Sequence, residues 1–178
     1  MEFILTELEP KDVDQFKLDI QEAFQKGFEA VYGKTDDTIL PEEDIEKSLQ
    51  AKGAIAYKAV VDGQMIGGAV IVINEKTQCN QLHLLYVKHG IHSRGIGKMI
   101  WDRIEQLHSK TEIWETCTPY FEKRNIHFYV NKCGFYIVEY QREINEEGFL
   151  GDGGDGMFVF KKWMKKNNSQ LYVDKSTL

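Results

Sequence analysis

Hydrophobic residues along the chain switch repeatedly between the periods of strands and helices, and the order of these switches predicts a succession of elements. Residues 3–8 form an apolar run typical of a strand. Apolar residues then recur at steps of three or four from Val13 to Val31, which predicts a helix with a weak point at Gly27. Pro41 and the acidic residues after it are typical of the first turn of a second helix.

The period typical of strands begins at residue 54. Two apolar runs meet at Asp62-Gly63, a dipeptide suited to the positive φ angles of a hairpin turn. Gly67 and Gly68 in the second run indicate a bulge or the close approach of another group. Further elements are predicted as strands at 112–117, 135–144 and 157–163 and as a short helix at 125–132. This order predicts a mixed sheet with helices on its faces, an α/β (α+β) fold.

The central stretch, residues 81–107, predicts a strand, a tight basic loop and a helix. The strand covers residues 82–87. One face of the helix carries Ile96, Ile100, Ile104 and Leu107. Gly95 and Gly97 fall at the helix start, where free backbone N–H groups and the helix dipole favour an anion. The stretch therefore predicts a site for a phosphate-bearing ligand.

Two common phosphate-binding motifs do not fit this loop. A Walker sequence requires Ser or Thr after Gly-Lys, whereas Met99 follows Gly97-Lys98. A dinucleotide-binding sequence requires a third glycine three residues after Gly97, where Ile100 stands. Neither a nucleoside triphosphatase nor a Rossmann fold is therefore expected.

The composition of the 178-residue chain predicts one domain with a full core, because 42% of its residues are hydrophobic. The net charge of -6 offers no overall attraction for nucleic acid. The longest apolar run, residues 69–73, is too short to span a membrane, and the first residues are too acidic for a signal peptide. Cys79, Cys117 and Cys133 lack the spacing of a metal site, so we expect reduced thiols in a cytoplasmic protein without a bound metal.

Two motifs resemble those of the Gcn5-related N-acetyltransferases (GNAT). Residues 84–100 resemble the acetyl-CoA-binding motif Q/R-x-x-G-x-G/A and the strand before it. Gly95 and Gly97 occupy its glycine positions, and His92 stands where the family generally has Gln or Arg. Residues 125–135 resemble the later motif, in which an Asn opens a helix, a Phe-Tyr pair follows and Gly-Phe begins a strand.

The resemblance implies the fold of that family in residues 1–163, followed by a polar tail at 164–178. Its sheet would be mostly antiparallel, with about seven strands flanked by about four helices. The implied cofactor is acetyl-CoA, whose pyrophosphate is bound mainly by backbone N–H groups. The implied CoA contacts are Leu85, Tyr86, Val87, His92, Ser93, Arg94, Gly95, Ile96, Gly97, Lys98, Asn125 and Tyr129. For Arg94 and Lys98, the alternative is a solvated side chain beside the loop.

Transfer of an acetyl group from a thioester to an amine requires a proton acceptor, because the attacking amine must be neutral. Strand alternation would place Gln81, His83 and Leu85 on one face, with His83 as the candidate base. A hydrogen-bonded histidine at the core edge and a chain of water molecules are the alternatives. The backbone N–H of Val87 is the candidate donor to the carbonyl oxygen. By the resemblance, Tyr129 would protonate the leaving thiolate, whereas an aromatic ring packed on the sheet is the alternative.

The acceptor would lie opposite the cofactor, beside the first two helices and the loop between the last two strands, if the layout of the family applies. That loop contains Asp152 and Asp155, which would attract a cationic amine or serve only solubility. Trp114, Glu115 and Tyr120 are candidates for lining the same cleft, although strand periodicity does not show which of them point inward.

We therefore expect an N-acetyltransferase that acts on a small-molecule primary amine by direct transfer, since no base is evident beside Cys117 in the sequence. A non-catalytic acyl-CoA-binding sensor and a protein Nα- or lysine acetyltransferase are the alternatives. No nucleic-acid or membrane partner is expected. Strand edges of such a fold often pair, which makes a homodimer an expected assembly.

Overall fold

The computed structural model describes residues 2–91, 95–142 and 156–164. These residues contain seven strands and four α-helices. The strands are β1 (Phe3–Glu7), β2 (Ala54–Val61), β3 (Gln64–Val72), β4 (Cys79–Val87), β5 (Ile113–Pro119), β6 (Tyr136–Arg142) and β7 (Gly156–Trp163). The helices are α1 (Val13–Tyr32), α2 (Glu42–Gln50), α3 (Ile96–Leu107) and α4 (Lys123–His127), which continues as a π-helical turn over Phe128–Lys132. A 3₁₀ turn at Pro10–Asp12 precedes α1.

The strands form one sheet in the order β1-β2-β3-β4-β5-β7-β6. Every neighbouring pair is antiparallel except β4 and β5, which run parallel. The predicted mixed and mostly antiparallel sheet is therefore confirmed. The single parallel pair requires a crossover, and α3 supplies it between β4 and β5.

The β2–β3 hairpin follows the local signals in the sequence. Asp62 and Gly63 have φ angles of 49° and 81°, so both residues of the predicted turn occupy the left-handed region. The pairing of β2 with β3 shifts next to Gly67, which is the predicted bulge. A side chain at Gly68 would overlap the Phe16 ring of α1. Both glycines therefore serve the packing of this hairpin.

Helices cover the two faces of the sheet with separate hydrophobic clusters. The α1-side cluster consists of Phe16, Ile20, Ile45, Val70, Leu84 and Tyr86. The α3-side cluster includes the buried face of α3, with Ile96, Ile100, Trp101 and Ile104. Ala69 and Val70 are adjacent in β3 but belong to different clusters, which places the clusters on opposite faces. Leu107 was predicted on the apolar face of α3, but it is exposed in the last turn.

Helix α1 runs unbroken through Gly27, so the predicted weak point does not interrupt it. Phe28 and Tyr32 follow this glycine and pack against Phe121. Their ring centroids lie 6.3 and 5.6 Å, respectively, from that of Phe121. These tertiary contacts support the last turns of the helix, where a glycine costs about 1 kcal/mol relative to alanine.

Most of the predicted polar tail, residues 165–178, lies outside the described residues. Met164, which we assigned to that tail, packs on the α3-side cluster, and its N–H donates to the Glu112 carbonyl oxygen at 2.9 Å. None of the helices in the described ranges is long and apolar enough to cross a membrane. The same ranges contain no group of three or more acidic, histidine or cysteine side chains arranged to hold a metal ion.

Candidate active site

An opening between β4 and β5 is the main feature of the sheet. The two strands pair only where residues 79–81 lie beside residues 113–115. Beyond that point β4 continues along β3 to Val87, and β5 continues along β7 to Pro119. We call the wedge between residues 82–87 and 116–119 the β4–β5 cleft. Because the strands diverge, backbone groups of β4 that point away from β3 face this cleft.

The peptide before Val87 offers such a group. The N–H of Lys88 donates to the Ile66 carbonyl oxygen of β3 at 2.8 Å. Successive N–H groups of a strand point to opposite edges, so the N–H of Val87 points into the β4–β5 cleft. A carbonyl oxygen held at this position would accept that hydrogen bond.

A bulge at His83 reverses the alternation of β4. Leu82 lies opposite Ile71 and Leu84 opposite Val70, so His83 has no partner in β3. Leu84 consequently belongs to the α1-side cluster, whereas Leu85 packs on the α3 side. The prediction that Gln81, His83 and Leu85 share one face is therefore wrong for Leu85, because the bulge inserts one residue.

The same bulge decides which side chains of β4 reach the cofactor side. Leu85 and Val87 lie on the α3 side, as their predicted CoA contacts require. Tyr86 was predicted as a further contact, but its ring is buried on the α1 side and stacks edge-on against Phe16 at 5.2 Å. Its side chain is therefore directed away from the face on which α3 begins.

His83 lies on the α1 side of the cleft apex. Its Nε2 is 3.0 Å from Oε1 of Gln81, and in the tautomer in which Nε2–H donates, Nδ1 is the free proton acceptor. Desolvation lowers the pKa of His83 below its usual value, which favours the neutral imidazole at pH 7. Glu115 lies next to Gln81 in register and forms an ion pair with Lys161 at 3.1 Å. Among the described residues on this face, the Glu115 carboxylate is thus paired with a cation, whereas the His83 imidazole is not.

The start of α3 borders the cleft from the other face. Gly95 caps the helix with a φ of 77°, a conformation that favours glycine, and as a glycine it offers the first N–H groups no side-chain cap. The N–H groups of Ile96, Gly97 and Lys98 have no intrahelical acceptor at this end. A Cβ at Gly97 would lie 3.4 Å from the Phe128 ring, an ordinary contact distance. Within the described ranges, the helix start therefore presents donors without an intrahelical acceptor beside β4 and α4.

Three of the predicted loop contacts, His92, Ser93 and Arg94, lie outside the described residues. Lys98 forms an ion pair with Asp102 one turn along α3. A phosphate contact by the Lys98 ammonium would therefore have to replace or share this partner.

Two threonines of β5 lie beside the side chains predicted to contact CoA. The Asn125 amide donates to Oγ1 of Thr118 at 3.2 Å. The Thr116 hydroxyl donates to the Leu82 carbonyl oxygen at 2.9 Å, and it lies near the Tyr129 phenol. Thr116 and Thr118 were not predicted, although their alternation in an apolar strand gave a signal. Thr118 thus holds Asn125 at the cleft edge of β5, and Thr116 lies beside Tyr129.

The π-helical turn places Tyr129 in the α3-side cluster. Cys133 donates its N–H to the Phe128 carbonyl oxygen at 3.0 Å, five residues back, and Gly134 ends the turn with a φ of 78°. The Tyr129 ring lies 5.4 Å from Phe160 and is 9% exposed. Tyr129 is thus packed on the sheet, and its role as the proton donor stays a prediction.

Burial adjusts the acid–base chemistry at this position. It raises the pKa of the Tyr129 phenol to about 12. Full proton transfer to an ordinary thiolate would then be uphill, because a free thiol has a pKa of about 8.5. Burial also raises the pKa of the neighbouring Cys133 thiol to about 12. Desolvation in such surroundings would likewise raise the pKa of a cofactor thiol and so favour proton transfer from the phenol.

A buried carboxylate anchors the residue that follows Val87. Asp19 of α1 is 3% exposed, and its Oδ1 binds the Lys88 ammonium at 2.9 Å and the Gln15 amide at 2.8 Å. Asp19 Oδ2 and the Tyr86 hydroxyl have no hydrogen-bond partner within the described ranges. The sequence gave no sign of this ion pair, since it joins residues far apart in the chain.

The predicted acceptor residues do not come together as expected. Trp114 is completely buried on the α3 side and stacks edge-on against Trp101 at 5.2 Å, so the prediction that it lines an acceptor cleft is wrong. Strand periodicity alone could not assign its face. Glu115 lies on the His83 side, as described above, and Asp152 and Asp155 lie outside the described residues. Desolvation and the Glu115 charge raise the pKa of the exposed Cys117 thiol, which makes it a weak nucleophile near pH 7.

Comparisons with known proteins agree with this geometry. The chain is 41% identical over 176 residues to the uncharacterized protein YrkN of Bacillus subtilis (strain 168), covering 93% of this chain and 95% of YrkN. Its fold is similar to the ribosomal-protein-S18-alanine N-acetyltransferase of Escherichia coli, with a TM-score of 0.70, 13% identity, and coverage of 97% of this chain and 100% of that one. It is also similar to the PaiA N-acetyltransferase of Thermoplasma acidophilum in complex with coenzyme A, with a TM-score of 0.68, 18% identity, and coverage of 92% and 100%.

The family assignment rests on the sequence rather than on these structural likenesses. A sequence model of the acetyltransferase (GNAT) family matches residues 17–135, a range that includes both walls of the β4–β5 cleft and the start of α3. The chain belongs to the acetyltransferase (GNAT) family, whose members are acyl-CoA-dependent enzymes.

Proposed function

We propose that the protein transfers an acetyl group from acetyl-CoA to a primary amine by direct attack in a ternary complex. The divergence of β4 from β5 is the observation that carries this proposal. It leaves a cleft with the N–H groups at the start of α3 on one face and the His83 imidazole on the other. A thioester in the cleft would meet the amine from the opposite face.

The donor would bind from the α3 side. Its pyrophosphate would accept hydrogen bonds from the N–H groups of Ile96, Gly97 and Lys98, where the helix dipole also favours an anion. The pantetheine arm would run along the free edge of β4 near Asn125, whose amide is held by Thr118. The sulfur would then lie near Tyr129 at the inner end of the cleft.

The residues at the cleft apex supply the proton transfers of the reaction. His83 takes a proton from the amine as its nitrogen bonds to the thioester carbon. A backbone N–H of β4 that faces the cleft, for which Val87 is the candidate predicted from the sequence, would stabilise the negative charge that develops on the carbonyl oxygen. The carbon–sulfur bond then breaks, and Tyr129 donates a proton to the departing thiolate. The raised pKa of Cys117 disfavours an acetyl-enzyme intermediate, which supports direct transfer.

Two-substrate kinetics with a panel of primary amines, followed by mass spectrometry of the acetylated products, test this function. Intersecting double-reciprocal plots and an unmodified intact protein mass are expected. Parallel plots with an acetylated Cys117 would overturn direct transfer. Acetyl-CoA binding without acetylation of any amine would instead identify a sensor. A cytoplasmic location and a homodimer stay predictions from the sequence.

A further inference from the structure

An aromatic cluster lies at the open end of β5, apart from the residues assigned to the donor. It consists of Phe28, Tyr32, Tyr120 and Phe121. The ring centroids of Phe28 and Tyr32 are 4.8 Å apart, those of Tyr32 and Phe121 5.6 Å, and those of Tyr120 and Phe121 5.9 Å. The Tyr32 hydroxyl donates to the Phe121 carbonyl oxygen at 2.7 Å, which ties the end of α1 to the segment after β5.

Two of these rings remain accessible to a ligand. Tyr32 is 46% exposed and Tyr120 is 41% exposed. Tyr120 directly follows β5, and its N–H donates to the Gly156 carbonyl oxygen of β7 at 2.9 Å. The cluster is thus fixed to the backbone at both ends, so its rings form a preformed surface beside the cleft rather than a set of free side chains.

Glu122 adds a carboxylate to this surface. Its side chain is half-buried, and it has no hydrogen bond or ion pair with any residue in the described ranges. The Tyr32 hydroxyl donates to the Phe121 carbonyl oxygen at 2.7 Å, in the peptide that leads into Glu122, so the phenol lies beside the Glu122 backbone. Desolvation, with a smaller effect of the Glu122 charge, raises the pKa of that phenol. Desolvation raises the pKa of Glu122 itself more than the nearby Arg124 lowers it. Arg124 is near enough to act on the carboxylate but forms no ion pair with it at 4.0 Å or less, so a further cation in contact with this partly desolvated group would stabilise it.

We propose that Glu122, Tyr32 and Tyr120 form a binding site for an organic cation, namely the protonated distal amino group of a diamine acceptor. Ring faces attract ammonium groups, and the carboxylate supplies the opposite charge. This inference rests on the proposed function, because it gives one amino group of the acceptor to the cluster and the other to the thioester. The reacting amine must be neutral, whereas the distal amine stays protonated near pH 7, with an ordinary pKa of about 10.4.

Acetylation of 1,4-diaminobutane and of n-butylamine, which share a carbon chain, tests the site. The wild-type protein should show a KM for the diamine at least about tenfold below that for the monoamine. Glu122→Gln should raise the diamine KM about tenfold with kcat and the monoamine KM nearly unchanged. Glu75→Gln, which removes an exposed carboxylate from the turn at the opposite end of the sheet, is the control and should change neither constant. Equal KM values for both amines in the wild type would overturn the inference and leave the proposed function standing.

Binding without turnover separates the two proposals. Titration with tetramethylammonium chloride, at ionic strength held constant with sodium chloride, should shift the NMR signals of the Tyr32 and Tyr120 rings. The shifts should disappear in Glu122→Gln and persist in Glu75→Gln. Such a result without acetylation of either amine would retain the cation site and refute the proposed function. Equal shifts in the wild type and Glu122→Gln would refute the site whatever the kinetics show.

Discussion

At the scale of single residues, the chemistry of the cleft depends on how burial moves proton affinities. Tyr129 and Cys133 share one environment, which raises the pKa of both side chains to about 12. The role proposed for Tyr129 therefore depends on the same burial that packs its ring on the sheet. His83 shows the converse case, because desolvation lowers the pKa of its imidazole and leaves it neutral and able to accept a proton.

Replacing His83 tests its role as the base. His83→Ala should lower kcat about 100-fold, at the low end of the range for general base catalysis. In the wild type, the acid limb of the kcat profile should lie below pH 6.5, because the folded pKa lies below the ordinary His value. Activity should be lost as the pH falls through that limb, and the limb should disappear in His83→Ala. An unchanged profile with a small loss of rate would assign the proton to water.

Unfolding experiments would not replace this kinetic test. Burial lowers the pKa of His108 as well as that of His83, so both histidines bind protons more readily when the chain unfolds. Stability should therefore fall as the pH drops through about 6.5 and below, with contributions from both residues. The kcat profile isolates His83 because the His108 ring is engaged with the Tyr57 hydroxyl at 2.8 Å, in the α3-side core.

At the scale of elements, two local irregularities create the site. The bulge at His83 turns the imidazole and Leu85 to opposite faces of β4, so the candidate base and the cofactor contacts are separated by the sheet. The π-helical turn after α4 brings Tyr129 onto Thr116. Hydrophobic periodicity predicted both elements and their approximate bounds. It could not show an inserted residue, since one bulge leaves the apolar pattern of β4 nearly unchanged.

The predicted pyrophosphate site at the start of α3 can be tested by replacing Gly97. Gly97→Ala should change the CoA dissociation constant less than about threefold, because a Cβ there meets the Phe128 ring at 3.4 Å. Gly97→Glu should weaken binding at least about 100-fold, since it adds bulk and a negative charge beside the pyrophosphate donors. Isothermal titration with CoA measures both effects.

Gly97→Gln is the matched control that separates charge from size. We expect Gly97→Gln to lose less CoA affinity than Gly97→Glu. The difference between the two variants measures the effect of the negative charge. Melting temperatures of the three variants should stay within a few degrees of the wild type. Retained CoA affinity in a folded Gly97→Glu protein would refute the assignment of pyrophosphate to this helix start.

At the scale of the whole molecule, long-range contacts separate what the sequence could predict from what it could not. The order and type of the strands, the Asp62-Gly63 turn and the glycine cap of α3 are set by neighbouring residues, and the sequence predicted them. Trp114 was misassigned because its face depends on the partner strands. The Asp19–Lys88 ion pair joins α1 to the end of β4 and has no local signal at all.

The sheet consists of two halves, β1–β4 and β5–β7–β6, joined by only three residue pairs at the base of the cleft. A cofactor that contacts β4, α3 and Asn125 would bridge these halves. Acetyl-CoA at 100 times its dissociation constant should therefore raise the free energy of unfolding by about 2.7 kcal/mol. Hydrogen exchange should slow at residues 84–87 and 96–98 and also along the cleft edge of β5. Protection confined to α3 would place the cofactor outside the cleft, whereas protection of both halves, lost in Gly97→Glu, requires a ligand seated between them.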